Sequence, residues 1–155
     1  MYKIISLNVR GLNGSRKRRQ VFRWLHQQKA DIIFLQETYS SLDIIGRWET
    51  EWGGKIESSH GSFHSRGVMI LFKPRLDVNI EKIASNDHGR CILAEIVIDN
   101  TKVVLVNVYA SNDPNQQVVF LRGLSNNLLS KYGNENLVLG ADFNCVIGSL
   151  DKRGS

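Results

Sequence analysis

Asp142 and Asn144 stand two residues apart in Leu137-Val138-Leu139-Gly140-Ala141-Asp142-Phe143-Asn144, so an extended backbone carries both side chains on one side. A carboxylate there can accept a proton from water or hold a cation, and a carboxamide can both donate and accept a hydrogen bond. Together they suit a site that aims water at a phosphate. The same residues also end strands as ordinary turn formers, and the pair alone leaves both readings open. Upstream, Asn8 closes the apolar run that starts at Lys3, and Glu37 closes Ile32-Ile33-Phe34-Leu35-Gln36. A carboxylate beside an amide oxygen, completed by water, is a ligand set that Mg²⁺ accepts. Taken singly, Asn8 also reads as a turn or capping residue and Glu37 as a surface carboxylate. Tyr109 ends a third such run, Asn107-Val108-Tyr109, where a buried tyrosine with a satisfied hydroxyl is the plain alternative.

These groups converge only if the elements beneath them do. Lys3 to Val9 and Asp31 to Glu37 read as strands buried on both faces, with Leu137 to Leu139 a further buried strand. Between the first two, Ser15 is placed to cap a helix over 16–29, whose Val21, Trp24, Leu25 and Gln28 recur at helical spacing. A strand-helix-strand unit of this length makes its strands parallel through a right-handed crossover, bringing Asn8 and Glu37 to one edge. That edge is where α/β folds place their ligands.

The remaining chain alternates in the same way. Ser41 to Trp52 predicts a helix that buries Ile44, Ile45, Trp48 and Trp52 and is closed by Gly53-Gly54. Lys55 to Ser59 and Val68 to Lys73 predict strands, the second stopped by Pro74. Leu76 to Ile83, Arg90 to Ile98 and Lys102 to Tyr109 predict three more, the last two joined by a tight turn at Asp99-Asn100-Thr101. Asp113-Pro114 opens a helix to Lys131 with Val118, Leu121, Leu124, Leu128 and Leu129 on its apolar side. The fold class is therefore α/β, and residues 1–155 form one domain.

Bulk properties narrow the function classes. The net charge of +5 suits a polyanion partner, and its densest source is Arg16-Lys17-Arg18-Arg19 with Arg23, a run that also reads as a solvated helix face. Two cysteines, Cys91 and Cys145, offer no disulfide framework, which points to a reducing compartment. No apolar run approaches the roughly 20 residues a membrane-spanning helix needs. A soluble nuclear or cytoplasmic protein is expected.

In order, Asn8-Val9-Arg10-Gly11-Leu12, Leu35-Gln36-Glu37-Thr38, Ser65-Arg66-Gly67-Val68 with Gly89-Arg90, Asn107-Val108-Tyr109-Ala110 and Gly140-Ala141-Asp142-Phe143-Asn144 resemble the motifs of the endonuclease/exonuclease/phosphatase superfamily. The wording is most similar to the endonuclease domain of non-LTR (LINE-type) retrotransposons. The resemblance implies a four-layer α/β sandwich of the DNase I and AP-endonuclease type and a DNA-nicking activity that uses Mg²⁺ or Mn²⁺. It assigns Asn8, Glu37, Asp142 and Asn144 to the metal site. Asp142 would polarise the attacking water, Asn144 orient it and Tyr109 hydrogen-bond the phosphate. Arg10, Arg16, Arg18, Arg19 and Asn112 would contact the backbone of duplex DNA. A reverse transcriptase domain is expected downstream in a full-length parent.

Two departures stand out. The family ends on a Ser-Asp-His motif, whereas His26, His60, His64 and His88 all precede Asp142, so the resemblance implies the first two-thirds or so of the domain, lacking its final strands and inactive alone. Ser111 follows Tyr109-Ala110 where the family usually has proline. A catalytically dead remnant that binds nucleic acid nonspecifically, or a phosphoesterase with another substrate, are the alternatives.

Overall fold

The computed structural model describes residues 1–86 and 88–145. Among these residues eight strands form two mixed sheets of four. The first contains β1 (Ile4–Asn8), β2 (Ile32–Gln36), β3 (Ile56–Ser59) and β4 (Val68–Phe72) in the order β1-β2-β4-β3. The second runs β5 (Asn79–Ser85), β6 (Cys91–Ile98), β7 (Thr101–Tyr109) and β8 (Asn136–Asp142) in sequence order. Helices α1 (Ser15–Gln27) and α2 (Ile45–Trp52) serve the first sheet, and α3 (Pro114–Tyr132) the second.

Alternation along the strands explains why the sheets stack. In β2, Ile33 and Leu35 pack with Phe22, Leu25, Trp48 and Trp52 of the helices, while Ile32 and Phe34 face the other sheet beside Ile70, Ile92, Ile96 and Leu105. In β7, Val104, Val106 and Val108 face α3, where Phe120, Leu124, Leu128 and Tyr132 meet them. Three apolar seams thus join helices, sheet, sheet and helix. Across the central seam Gly140 lies so close to Phe34 that a Cβ there would sit 2.5 Å from its ring.

Each sheet contains one parallel pair made by a helical crossover. β1 and β2 pair with Asn8 opposite Gln36, and β7 and β8 pair with Tyr109 opposite Asp142. The predicted β1-α1-β2 unit is present, and β7-α3-β8 repeats its topology. The other strand pairs are antiparallel, including the β6-β7 hairpin, whose Asp99 (φ 50°) and Asn100 (φ 57°) form a turn with both residues left-handed, as a two-residue type I′ loop requires.

Several sequence expectations need correction. β1 is an edge strand with partly exposed residues, and Leu137 and Leu139 of β8 are 41% and 45% exposed, because each of these strands has one paired neighbour among the described residues. Gly14 occupies the cap position of α1, and Ser15 is already helical and makes no cap bond. The helix ends at Gln27, and its buried face is Arg18, Phe22 and Leu25, with Trp24 largely outside it. α2 begins at Ile45, four residues later than expected, and ends as predicted on left-handed Gly53. In α3 the inward face is Phe120, Leu124, Leu128 and Tyr132, while Val118 and Leu129 are exposed. Leucine-rich helices offer more than one apolar stripe, and the sheet decides which is used.

Arg18 is the largest departure. Its guanidinium is buried, donates Nε and Nη2 to Glu51 at 2.6 and 2.9 Å, donates Nη1 to the Leu12 carbonyl at 2.9 Å, and lies 5.1 Å from the Trp48 ring centre. It ties α1 to α2 and cannot serve as the DNA contact expected of it. Arg18→Ala should destabilise the fold by about 2 kcal/mol, through the lost packing of the buried Arg18 stem and its charged hydrogen bonds to a solvent-accessible Glu51, with a smaller loss for Arg18→Met. The Arg18 hydrogen bonds hold the Glu51 carboxyl below its ordinary 4.5. The pair's contribution is therefore full above pH 4.5 and fades as pH falls through the lowered value, so wild type and Arg18→Met should converge in denaturant melts at acid pH.

Candidate active site

The site lies where the two parallel pairs end. Asn8 finishes β1 on the face that looks toward the second sheet, and its Nδ2 donates to Glu37 Oε1 at 2.9 Å and to Asp142 Oδ2 at 2.6 Å. One amide nitrogen therefore joins two carboxylates contributed by different sheets. Asn8 Oδ1 is turned the other way, accepting from Arg10 N at 3.0 Å. Asn8 was expected as an oxygen ligand; in the structure it bridges the carboxylates instead.

Each carboxylate is held from its far side. Tyr39 donates its hydroxyl to Glu37 Oε2 at 3.2 Å, and Asn144 N donates to Asp142 Oδ1 at 2.9 Å. Asn144 Nδ2 donates to the Ala110 carbonyl at 2.6 Å, and Gln117 of α3 donates Nε2 to the carbonyls of Ser111, Phe143 and Asn144. Helix α3 thus fastens the turn that follows the strand it precedes. Ser111, the departure from proline, accepts from Asp113 N at 3.2 Å through its hydroxyl, and no proline could do this.

The turns around the site are conformationally strained. Arg10 (φ 47°), Glu37 (φ 53°), Tyr39 (φ 56°) and Asn144 (φ 49°) all occupy the left-handed region, which disfavours residues with a Cβ by roughly 1–2 kcal/mol each. Backbone bonds from Gly11 N and Leu12 N to the carbonyls of Glu37 and Thr38 lock two of these turns together. Gly11 (φ 86°) is needed there, because a Cβ would lie 2.5 Å from the Tyr39 ring. Lys17 adds a further brace, donating Nζ to the carbonyls of Val9 and Arg10.

Beneath the site the sheets are joined by two buried amides. Gln36 donates Nε2 to Asn107 Oδ1 at 2.8 Å and to Ser6 Oγ at 3.1 Å, and Asn107 donates Nδ2 to the carbonyls of Leu35 and Met69 at 2.9 and 2.7 Å. Both lie on inward positions otherwise held by apolar side chains, directly below Glu37 and Tyr109. Tyr109 itself looks into the site. Burial raises its phenol above the ordinary 10.0 and the Glu37 carboxylate adds to this, opposed by the nearby Asn144 amide and Arg90 guanidinium. The hydroxyl is thus a proton donor across the physiological range.

Ser6, Asn8, Gln36, Asp142 and Asn144 line a cleft of about 420 Å³. A larger apolar cleft of about 670 Å³, bounded by Cys91, Phe120 and Leu124, lies between α3 and the β5-β6 face, remote from these carboxylates. Asn8, Glu37, Tyr109, Asp142 and Asn144 are therefore brought together as expected. The basic residues are not. Arg18 is buried, Lys17 braces the Arg10 turn, and Arg10, Arg16, Arg19 and Asn112 are exposed. Three of the four histidines are used elsewhere: His26 stacks on Trp52, His60 Nδ1 lies 2.9 Å from Ser40 Oγ, and His64 meets Phe63 edge-on.

Tyr39, Gln36, Asn107 and Gln117 were missed as site-building residues. The amides carried a usable signal, since each interrupts an inward-facing apolar series, Ile32-Phe34-Gln36 and Leu105-Asn107-Tyr109. Tyr39 and Gln117 carried none, because their roles depend on turn geometry and on contacts between distant segments.

Glu37 and Asp142 approach one nitrogen without a Lys or Arg paired to either among the described residues. No trio of His, Cys, Asp or Glu gathers there among the described residues, so an ion would meet two carboxylates and complete its shell with water or amide oxygens. Such an oxygen-only, water-rich set fits Mg²⁺ or Mn²⁺.

Two stacked mixed sheets, with carboxylates from both meeting at their strand ends, define an α/β domain of the phosphoesterase kind. The chain belongs to the endonuclease/exonuclease/phosphatase family, whose model matches residues 5–155. It is 28% identical over 149 residues to the transposon TX1 uncharacterized 149 kDa protein of Xenopus laevis, covering 96% of this chain and 11% of that protein. Its fold is similar to D. rerio TDP2 complexed with single strand DNA product (TM-score 0.74, 16% identity, 94% of this chain and 61% of that one). It is also similar to the mannosyl-6-phosphatase Bt3783 of Bacteroides thetaiotaomicron (TM-score 0.69, 16% identity, 93% and 66%). The chain thus spans a small part of the TX1 protein and less than two-thirds of the TDP2 structure.

Asn107→Leu keeps the volume of the buried amide but leaves Gln36 and two carbonyls without it. It should lower stability by about 2 kcal/mol, the desolvation penalty of orphaned buried polar groups. Chemical denaturation measures this, and an unchanged midpoint would show that the amide pair does not hold the sheets together.

Proposed function

We propose that this chain is the metal- and phosphate-binding part of a DNA-nicking phosphodiesterase domain from a non-LTR retrotransposon, within a four-layer sandwich of the DNase I and AP-endonuclease type. The single observation that carries this reading is the meeting of Glu37 and Asp142, one from each sheet, on Asn8 Nδ2. Family membership and the similarity to a transposon protein support the class, and the likeness to a TDP2 structure holding DNA supports a polynucleotide partner.

Glu37 and Asp142 would hold a divalent cation, Mg²⁺ or Mn²⁺, which supplies charge neutralisation of the phosphate when bound. The chain's own residues do the positioning on which phosphoryl transfer depends. Asp142 keeps lone pairs free beyond its bonds from Asn8 and Asn144 and accepts the proton of the attacking water. Asn144, anchored through one amide hydrogen to Ala110, aims that water with its remaining amide groups. Tyr109, kept protonated by burial and by Glu37, donates to a phosphate oxygen. Asn8 holds the carboxylates at a fixed separation. Arg10, Arg16, Arg19 and Asn112 lie exposed for contact with the DNA backbone.

Mn²⁺ titration of the chain should show one site, and Glu37→Gln and Asp142→Asn should each weaken it at least about tenfold, the loss usual even for partners of metal ligands. Equal affinity in all three proteins would contradict the proposal. Nicking of supercoiled plasmid with Mg²⁺ by this chain alone should not exceed that of Glu37→Ala. No histidine is hydrogen-bonded to Tyr109 or Asp142 among the described residues, and acid–base assistance of that kind is worth about 10²–10⁴-fold. Nicking above the control would make the chain active as it stands.

A further inference from the structure

We propose that His60 is a positioning residue for Glu37. Its neutral imidazole ends a buried hydroxyl chain, Thr38 to Ser40 to His60, that braces the Glu37 turn, and protonation of the ring weakens cation binding at Glu37 and Asp142. The inference rests on the metal-binding reading above and adds a pH control to that site.

The chain starts directly behind the carboxylate. Glu37 (φ 53°) and Tyr39 (φ 56°) are left-handed on either side of Thr38, so this turn persists only while its surroundings hold it. Thr38 and Ser40 are fully buried. Thr38 Oγ1 donates to Ser40 Oγ at 3.2 Å, and Ser40 Oγ lies 2.9 Å from His60 Nδ1. Each hydroxyl has one hydrogen to give. With the Thr38 hydrogen directed to Ser40, the Ser40 hydrogen goes to Nδ1, and the neutral ring keeps its own proton on Nε2.

Backbone packing holds the two ends of this chain together. Thr38 N and Tyr39 N donate to the carbonyls of Gly67 and Arg66 at 3.1 and 3.0 Å. A Cβ on Gly67 (φ 93°) would lie 2.4 Å from Thr38 Oγ1, and one on Gly61, beside His60, would lie 2.7 Å from Gly67 N. On the other side, a Cβ on Gly89 would lie 2.7 Å from His60 O. Thr38, Gly67 and the His60-Gly61 segment are therefore in close contact, and the imidazole sits at a set distance from the Glu37 turn.

A second ring proton has no place in this arrangement. Placed on Nδ1, it faces the Ser40 hydrogen. Ser40 can turn that hydrogen back to Thr38, but the Thr38 hydrogen then has no acceptor among the described residues. Either way one buried hydrogen beside Glu37 goes unmatched. Burial accordingly lowers the His60 pKa from its ordinary 6.5, opposed by the Asp43 carboxylate from the turn before α2. The neighbouring 61–67 turn carries His64, set against Phe63, and Arg66, while the 88–90 segment carries His88 and Arg90, the latter beside the Tyr109 ring. None of these is hydrogen-bonded to the His60 ring among the described residues. The brace is complete above pH 6.5 and is lost as pH falls through the lowered value. Linkage is reciprocal, so a cation bound at Glu37 lowers the His60 pKa further.

The test is Mn²⁺ affinity of the whole chain from about pH 8 down to about pH 5, the range over which histidine titrates, in wild type, His60→Asn, His60→Ala and Glu37→Gln. Near-ultraviolet circular dichroism matching wild type establishes that each variant is folded. Asn carries an acceptor oxygen in the position of Nδ1 and does not titrate. At about pH 8, His60→Asn should bind like wild type and His60→Ala about tenfold more weakly, the usual loss for a group that orients a metal ligand. Toward about pH 5, wild-type affinity should fall about tenfold further than that of His60→Asn. A metal-free NMR titration of the imidazole supplies an independent readout, with His60→Asn identifying the His60 resonance. Ser40→Ala should raise the His60 pKa toward 6.5, because the donor to the neutral ring is gone. Parallel pH profiles for wild type and His60→Asn, undiminished binding by His60→Ala, or an unmoved His60 pKa in Ser40→Ala would each overturn the coupling, and the metal site stands if Glu37→Gln still binds weakly. Wild-type affinity in Glu37→Gln would overturn the metal reading and the coupling with it.

Discussion

Two carboxylates from different sheets converge on one amide nitrogen, and that arrangement is the constraint to which the rest of the fold answers. Glu37 and Asp142 repel one another, and the two hydrogens of Asn8 Nδ2 offset the repulsion only in part. The apolar seam between the sheets imposes their approach. Phe34, Ile70, Ile92 and Leu105 fill that seam, and Gln36 and Asn107 pin its upper end, so the strand ends above have little freedom to separate. Burial energy stored in the core is thereby spent on holding like charges close, the condition a divalent cation exploits.

Topology makes this convergence economical. Two units of the same kind, β1-α1-β2 and β7-α3-β8, each deliver two strand ends to one edge through a crossover. One unit supplies Asn8 and Glu37, and the other supplies Tyr109 and Asp142. The helices then return to brace their own turns, α1 through Lys17 on the carbonyls of Val9 and Arg10, and α3 through Gln117 on those of Phe143 and Asn144. Left-handed Arg10 and Asn144 fall in the turns so braced, where surrounding bonds offset the strain of turning a side chain out of the alternating strand pattern.

Much of this was legible in the sequence, for a physical reason. The strand ends are punctuated by polar residues after apolar runs, and parallel pairing through a short crossover brings such ends together whatever the details between them. The convergence of Asn8, Glu37, Tyr109, Asp142 and Asn144 could be read on that basis, while their roles came only from the family resemblance. Which face of a helix is buried could not, because α1 and α3 each carry more than one apolar stripe. Trp24 and Leu129 therefore looked internal and lie outside. Edge position was also hidden: Leu137 and Leu139 have the composition of a central strand, but pairing decides exposure. Charge misled in one place. Arg18 sits in a basic run, yet its spacing from Phe22 and Leu25 puts it on the buried face, where Glu51 and two carbonyls satisfy it. The orientation of the Asn8 amide followed from contacts that no spacing encodes.

The central claim is that Glu37 and Asp142 are brought together to share a cation. Anomalous diffraction from crystals grown with Mn²⁺ tests it most directly. A single strong anomalous peak should fall within coordination distance of a carboxylate oxygen of Glu37 and of Asp142, and it should vanish in Glu37→Gln. A peak at any other group of oxygens, or none here in crystals that bind Mn²⁺ elsewhere, would contradict it.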